Sequence, residues 1–151
     1  MITGQFTGDL LVSEQWNSQI QEQLESESPQ SLVNLFTDVM RKFNTDGDVV
    51  FKESNNSHNL NKVYILTTRG TASASELVIN GLNPYINVTT IGTKTEGKYV
   101  ASITLYDSDN YRREGANPNH TWAMQPIVLE EQNKLGENDQ DGFDPTIEFP
   151  E

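Results

Sequence analysis

Residues 62–92 read KVYILTTRGTASASELVINGLNPYINVTTIG, and this stretch decides the fold. Positions 63–68 form a short, almost continuous run of apolar and β-branched residues, which is typical of a parallel strand covered on both faces. Residues 75–83 carry apolar side chains at helical spacing, and residues 87–91 are the next apolar strand. The sequence therefore predicts a β-α-β unit within an α/β fold.

The rest of the chain carries weaker signals for further elements. Apolar residues at i, i+4 and i+8 predict a helix over 16–24. A second helix is predicted over 28–43, with Ser28 as N-cap and Pro29 at its first position, ending at 44–47. Extended segments are predicted at 6–12, 49–51, 99–106 and 121–129.

Composition limits the function classes that the chain can serve. The 151 residues fit a single domain, and the absence of cysteine excludes disulfides and thiolate metal sites. A net charge of −12 disfavours nucleic acid or an anionic membrane as partner. No apolar stretch approaches the roughly 20 residues of a membrane helix, and the first residues lack the layout of a signal peptide.

Ser73 and Lys98 are candidates for nucleophilic catalysis. Ser73 lies where the first strand of the unit turns into the helix, and Lys98 follows the second strand. A hydroxyl needs a base to remove its proton, and a lysine buried away from water can be that base in its uncharged form. We therefore expect Lys98 to be buried. The helix N-terminus beside Ser73 would favour a developing oxyanion.

A purely structural interpretation of the same residues stays open. Ser73-x-x-Glu76 also matches a capping box, in which Ser73 caps the helix and Glu76 returns a hydrogen bond. Such boxes are frequent, and a lysine that follows a glycine is more often a surface residue. Local sequence alone leaves both interpretations standing.

Residues 62–105 resemble the core of the S41 family of serine peptidases, the carboxyl-terminal processing or tail-specific proteases. In that family a Ser-Ala-Ser-Glu segment opens a helix and carries the nucleophile, and a Gly-x-x-Thr-x-Gly-Lys segment carries a lysine base. Both motifs are present here, at 73–76 and 92–98. Residues 122–126, Trp-Ala-Met-Gln-Pro, also resemble a strand of secreted family members.

This resemblance implies a Clp/crotonase-like α/β core that hydrolyses polypeptides through an acyl-enzyme. Ser73 would be the nucleophile, Lys98 the base and then the acid, and the Ala74 N–H an oxyanion donor. No cofactor or metal is implied. The resemblance also implies a location in the cell envelope or periplasm.

The chain departs from the family pattern in two places. Many members have a glutamine that orients the lysine where Ser102 stands here, so Glu76 is a candidate to contact the amine instead. The family's glycine-rich oxyanion segment and PDZ-like module are not found within 1–151. We therefore expect one truncated catalytic domain, the C-terminal part, with little activity alone.

The alternative function is non-catalytic: a pseudopeptidase that binds polypeptide, or an acidic module that depends on calcium. The calcium module is suggested by Glu137-x-Asp139-x-Asp141-Gly142 with Glu148, which has the outline of a calcium loop. A solvated acidic turn is the commoner meaning of such a pattern. The two histidines, His58 and His120, lack the spacing of a metal site, and we expect His120 to be a loop residue.

Overall fold

The computed structural model describes residues 2–44 and 48–150. These residues form two α-helices, α1 (Ser18–Glu27) and α2 (Ala74–Leu82), and two 3₁₀ turns at Gly4–Phe6 and Pro29–Leu32. The strands, in chain order, are β1 (Leu10–Trp16), β2 (Val33–Leu35), β3 (Val39–Phe43), β4 (Val49–Ser54), β5 (Lys62–Thr67), β6 (Asn87–Gly92), β7 (Val100–Ser102), β8 (Leu105–Tyr106), β9 (Ala123–Met124), β10 (Ile127–Gln132) and β11 (Ile147–Glu148).

Two sheets make up the body of the fold. An antiparallel sheet has the order β2-β1-β10-β7, and a parallel sheet has the order β11-β6-β5. The pairs β3-β4 and β8-β9 are separate antiparallel ribbons. The β8-β9 ribbon continues the β7-β10 pair along the chain, so the segment between β7 and β10 leaves the sheet as an arm.

The predicted β-α-β unit is confirmed. Strand β5 pairs in parallel with β6, from Lys62 opposite Asn87 to Thr67 opposite Gly92, and α2 connects the two strands. Helix α1 confirms the predicted helix over 16–24, although it starts two residues later because Trp16 still belongs to β1. The predicted segments at 49–51, 99–106 and 121–129 also contain strands.

The core joins α2 to the antiparallel sheet. Phe36, Leu82 and Ile86 are its buried centre, and Phe6 and Tyr85 pack against them with ring centroids 4.8 Å apart. A side chain at Gly81 would meet Leu11, with the added Cβ only 2.5 Å from Cδ1 of that leucine. This close approach fixes α2 against β1, and it thereby fixes the N-terminus of α2 relative to the sheet.

The helix predicted over 28–43 is wrong. Pro29–Leu32 is a 3₁₀ turn, and the chain then continues into β2 and β3. Leu35 pairs with Leu10 of β1, so ladder hydrogen bonds replace the helical ones. Apolar spacing of this kind fits either structure, and tertiary pairing decides between them. Part of the predicted helix end, residues 45–47, lies outside the described residues.

Strand β5 is covered on one face, and the expectation that both faces are covered is also wrong. Thr67 is buried, whereas Tyr64 and Leu66 on the other face are 62% and 80% exposed. In residues 2–44 and 48–150, no helix combines the length and apolar character that crossing a membrane requires.

Candidate active site

The turn between β5 and α2 holds Ser73 in an unusual backbone conformation. Its φ of 55° and ψ of −118° are those of the second residue of a type II′ turn, a position dominated by glycine. A serine with these angles carries strain of about 1–3 kcal/mol. Strained serines on a sharp strand-to-helix turn are a device that exposes a nucleophile. Ser73 is exposed here, immediately before the helix.

Comparing two variants of Ser73 measures this strain. We expect Ser73→Gly to be about 1 kcal/mol more stable than Ser73→Ala, because glycine relieves the strain while adding some entropy to the unfolded chain. Urea unfolding gives the difference. The same pair at Ser75, inside α2, should show the opposite sign, since alanine favours a helix over glycine by about 1 kcal/mol. Equal stability of the two Ser73 variants would contradict the strain.

The loop from Gly92 to Lys98 runs beside this turn and needs both of its glycines. Gly92 has a φ of 137°, and a Cβ there would lie 1.9 Å from the Thr67 carbonyl oxygen. Gly97 has a φ of 89°, and a Cβ there would lie 2.4 Å from the Gln140 carbonyl oxygen. The glycine spacing of this segment therefore reflects two close backbone approaches.

Glu76 connects the turn that holds Ser73, called the serine turn, to the loop from Gly92 to Lys98, called the lysine loop. Its side chain is 4% exposed, and its carboxylate accepts four hydrogen bonds. The donors are the N–H groups of Ser73 at 2.9 Å, Gly97 at 2.7 Å and Lys98 at 2.9 Å, and the Thr95 hydroxyl at 2.6 Å. The first of these is the bond that the capping box predicts. The sequence suggested a contact with the Lys98 amine, but the carboxylate contacts the Lys98 backbone instead.

A cleft of about 220 Å³ brings the predicted site residues together. Ser73, Ala74, Lys98 and Ser102 all line it, and Glu131 of β10 completes the set of polar groups. Ser73 and Lys98 also line a smaller cavity of about 20 Å³, which is room for one water molecule. The Ala74 N–H, at the start of α2, makes no backbone hydrogen bond within the described residues.

Lys98 differs from its prediction in one respect. The residue is exposed, so the burial expected from the sequence is not supplied by the described part of the chain. Its neighbour on the loop, Lys94, is also exposed and lies 3.5 Å from Asp144 in an ion pair. Water therefore reaches the Lys98 side chain in the described part of the chain.

Glu131 is the site residue that sequence analysis missed. Its side chain is half-buried, and burial raises the pKa of its carboxyl, with the charge of Glu14 adding to the effect. Glu14 stands directly opposite Glu131 in the β1-β10 pair. No local pattern announces this residue, because only the pairing of β10 with β7 brings it beside Lys98.

Glu137 and Asp139, two acidic residues of the calcium-loop pattern, take part in turn hydrogen bonds. Asp139 accepts a hydrogen bond from the Asp141 N–H at 3.2 Å, and the Glu137 N–H donates to Asn133 at 3.0 Å. Across the described residues, no group of three histidine or acidic side chains is arranged to hold a metal ion. The acidic segment therefore forms a turn, and the calcium loop that its pattern outlined is not assembled.

His120 lies in the arm between β8 and β9. Its Nδ1 accepts the Trp122 N–H at 3.2 Å, so its Nε2 carries the proton and donates to Asp107 at 3.1 Å. The hydrogen bond from Asn117, followed by that from His120, lowers the pKa of the Asp107 carboxyl. These bonds close the loop, in agreement with its prediction as a loop residue.

The sequence profile of peptidase family S41 matches residues 5–119. Among solved structures, the chain is similar to a protein of Bacteroides fragilis provisionally designated an S41 protease, at 28% identity and a TM-score of 0.64. That similarity covers 100% of this chain and 32% of the other. A photosystem II D1 C-terminal processing protease matches at 21% identity and a TM-score of 0.48, over 75% of this chain and 27% of that one. Curated proteins give no match.

The family match and the similarity to the Bacteroides fragilis protein confirm the α/β fold. The chain spans about a third of the length of the Bacteroides fragilis protein. The profile match includes the serine turn, the lysine loop and most of the arm.

Proposed function

The chain belongs to peptidase family S41, and we propose that it carries the nucleophile and the base of a serine peptidase. The single observation that carries the proposal is the strained backbone conformation of Ser73 at a helix N-terminus. A residue that only caps a helix does not require this conformation. A cap residue ordinarily has extended backbone angles. Strain kept at an exposed serine therefore supports a functional role.

In the proposed reaction, the Ser73 hydroxyl oxygen attacks the carbonyl carbon of a peptide bond while the Lys98 amine accepts the hydroxyl proton. The tetrahedral oxyanion is held by the Ala74 N–H, which has no backbone acceptor among residues 2–44 and 48–150. When the C–N bond breaks, the Lys98 ammonium returns the proton to the leaving amine, and an acyl-enzyme remains. Water then attacks the ester carbonyl carbon while the Lys98 amine accepts its proton. The bond from the acyl carbon to the Ser73 oxygen breaks, Lys98 returns the proton to that oxygen, and the carboxylic acid leaves.

Glu76 is proposed to support this chemistry without touching the substrate. Its hydrogen bonds to the backbones of Ser73 and Lys98 hold the nucleophile and the base in one frame. Ser102, at the end of β7 in the same cleft, is proposed as a supporting hydroxyl. No cofactor or metal enters any step.

The Lys98 amine must be uncharged to act as a base, and water has to be excluded from it. We propose that a bound polypeptide, together with further parts of a longer protein, covers the exposed lysine. A second oxyanion donor would also come from outside this chain. Because loss of one such donor costs about 10²–10³ in rate, we expect slow turnover by these 151 residues alone.

The substrate class is proposed to be polypeptide, as family membership suggests. A location in the cell envelope or periplasm is proposed on the same ground. The net charge of −12 supports a partner other than nucleic acid.

Labelling with a serine-directed phosphonate tests the proposal. We expect covalent label on Ser73, located by mass spectrometry of the digested chain, and no label on Ser73→Ala. Ser75→Ala, which alters the neighbouring serine of the same motif, should keep the label. A chain that stays unlabelled, but whose melting temperature rises with calcium, would reject the peptidase in favour of a non-catalytic binding module.

A further inference from the structure

Glu131 occupies an electrostatically unfavourable position, and no contact in the described structure compensates for it. Its side chain makes no hydrogen bond or ion pair with any described residue, and it is half-buried. It faces Glu14 directly across the β1-β10 pair. Like charges opposite each other in a sheet are destabilising, by roughly 0.2–1 kcal/mol. Structure alone therefore gives no reason for a carboxyl group here.

The surroundings of Glu131 point to an external partner. Glu131 lines the 220 Å³ cleft together with Ser73 and Lys98, and the rest of the wall is mainly small or apolar, formed by Ala74, Leu77, Val100, Ala101 and Ser102. Lys98 forms no ion pair with it in the described structure. Such a pair would favour the charged amine, which is the wrong form for a base. The carboxylate is thus left to a cation that enters from outside.

We propose that Glu131 is a specificity-determining residue that receives a lysine or arginine side chain of the polypeptide, next to the bond at Ser73. This inference rests on the proposed function for its meaning, but its geometry is independent of turnover. The cleft volume suits one long side chain, whose stem packs on the apolar wall while its cation reaches the carboxylate. The net charge of −12 also attracts cationic segments at long range.

Peptide binding to the Ser73→Ala chain tests the inference without requiring hydrolysis. Three alanine-based peptides differ in one central residue: lysine, its uncharged analogue norleucine, or glutamate. We expect the lysine peptide to bind about tenfold more tightly than the norleucine peptide, and the glutamate peptide most weakly, as measured by fluorescence anisotropy at low salt. Adding Glu131→Gln should remove the preference for lysine.

Glu130→Gln is the matched control. It makes the same change of charge on the same strand, but alternation places its side chain on the other face of the sheet, where it accepts a hydrogen bond from Gln132. This variant should keep the tenfold preference. Equal affinity for the lysine and norleucine peptides, including no binding of either, would overturn the inference. A preference that survives Glu131→Gln would overturn it as well.

The dependence of peptide binding on pH provides a second readout. Because burial and Glu14 raise the pKa of Glu131, the lysine preference should be present at neutral pH and disappear as pH falls through that raised value. The other charged groups near Glu131 are Glu76, Lys98 and Asp139, which line the adjoining small cavity, and Glu14 of β1; none of them is altered in these variants. Label on Ser73 without any lysine preference rejects only the Glu131 site. Lysine preference without label rejects only the peptidase.

Discussion

Glu76→Ala is expected to lower the free energy of unfolding by about 4 kcal/mol, the largest stability effect of any single change proposed for this chain. The substitution leaves four hydrogen-bond donors without their acceptor, and each buried donor left unpaired costs about 1–3 kcal/mol. The expected loss lies at the low end of the sum of these costs because Ser73 and Lys98 are exposed, so water can bind some of the donors that lose their acceptor. Such a loss is a large fraction of the roughly 5–15 kcal/mol that stabilises a typical domain.

Glu76→Gln removes hydrogen-bond acceptors while keeping the volume of the side chain, so it separates the effect of the hydrogen bonds on stability from the effect of packing. One carboxylate oxygen accepts from Thr95 and Gly97, and the other accepts from Ser73 and Lys98. Whichever way the amide is oriented, its NH₂ group faces two donors. We therefore expect a loss of about 2 kcal/mol despite the nearly unchanged shape.

Urea unfolding of both variants, beside a control, measures these losses. The control is Glu96→Ala on the same loop, where the side chain is exposed and only the backbone N–H is used, in a bond to Thr71. It should change stability by less than about 0.5 kcal/mol. A Glu76→Ala chain as stable as the Glu96→Ala chain would mean that the four bonds do not hold the site together.

The sequence predicted the parts of the fold that local pattern controls. The β5-α2-β6 unit follows from two apolar runs and one amphipathic segment. The hydrogen bond from the Ser73 N–H to the Glu76 carboxylate follows from the three-residue spacing of the capping box. The other three bonds to Glu76 come from a loop about twenty residues away, and no local rule implies them. The conformation of Ser73 was also beyond prediction, because serine rarely adopts a positive φ.

The errors have the same origin. Residues 28–43 satisfy a helical pattern, but pairing of β2 with β1 supplies hydrogen bonds that an isolated segment cannot anticipate. Glu131 belongs to no local motif, and it becomes part of the cleft wall only through the pairing of β10 with β7. Long-range strand pairing thus decided both the missed elements and the missed site residue.

Lys98→Met and Lys98→Arg are both expected to slow phosphonate labelling of Ser73 by about 100-fold or more, the size of a general-base contribution. Methionine keeps much of the apolar stem and loses the amine. Arginine keeps the positive charge, but its guanidinium stays protonated and cannot accept the serine proton. If Lys98 acted only through its charge, arginine would restore the rate, so the pair of variants separates a base from an electrostatic role.

A control on the same loop strengthens this distinction. Lys94→Met is the control, because Lys94 is exposed on the same loop and pairs with Asp144 outside the cleft. Its rate should stay within about twofold of the unaltered chain, as expected for an exposed ion pair remote from the reaction. Rapid labelling of Lys98→Arg would show that Lys98 is not the base that activates Ser73.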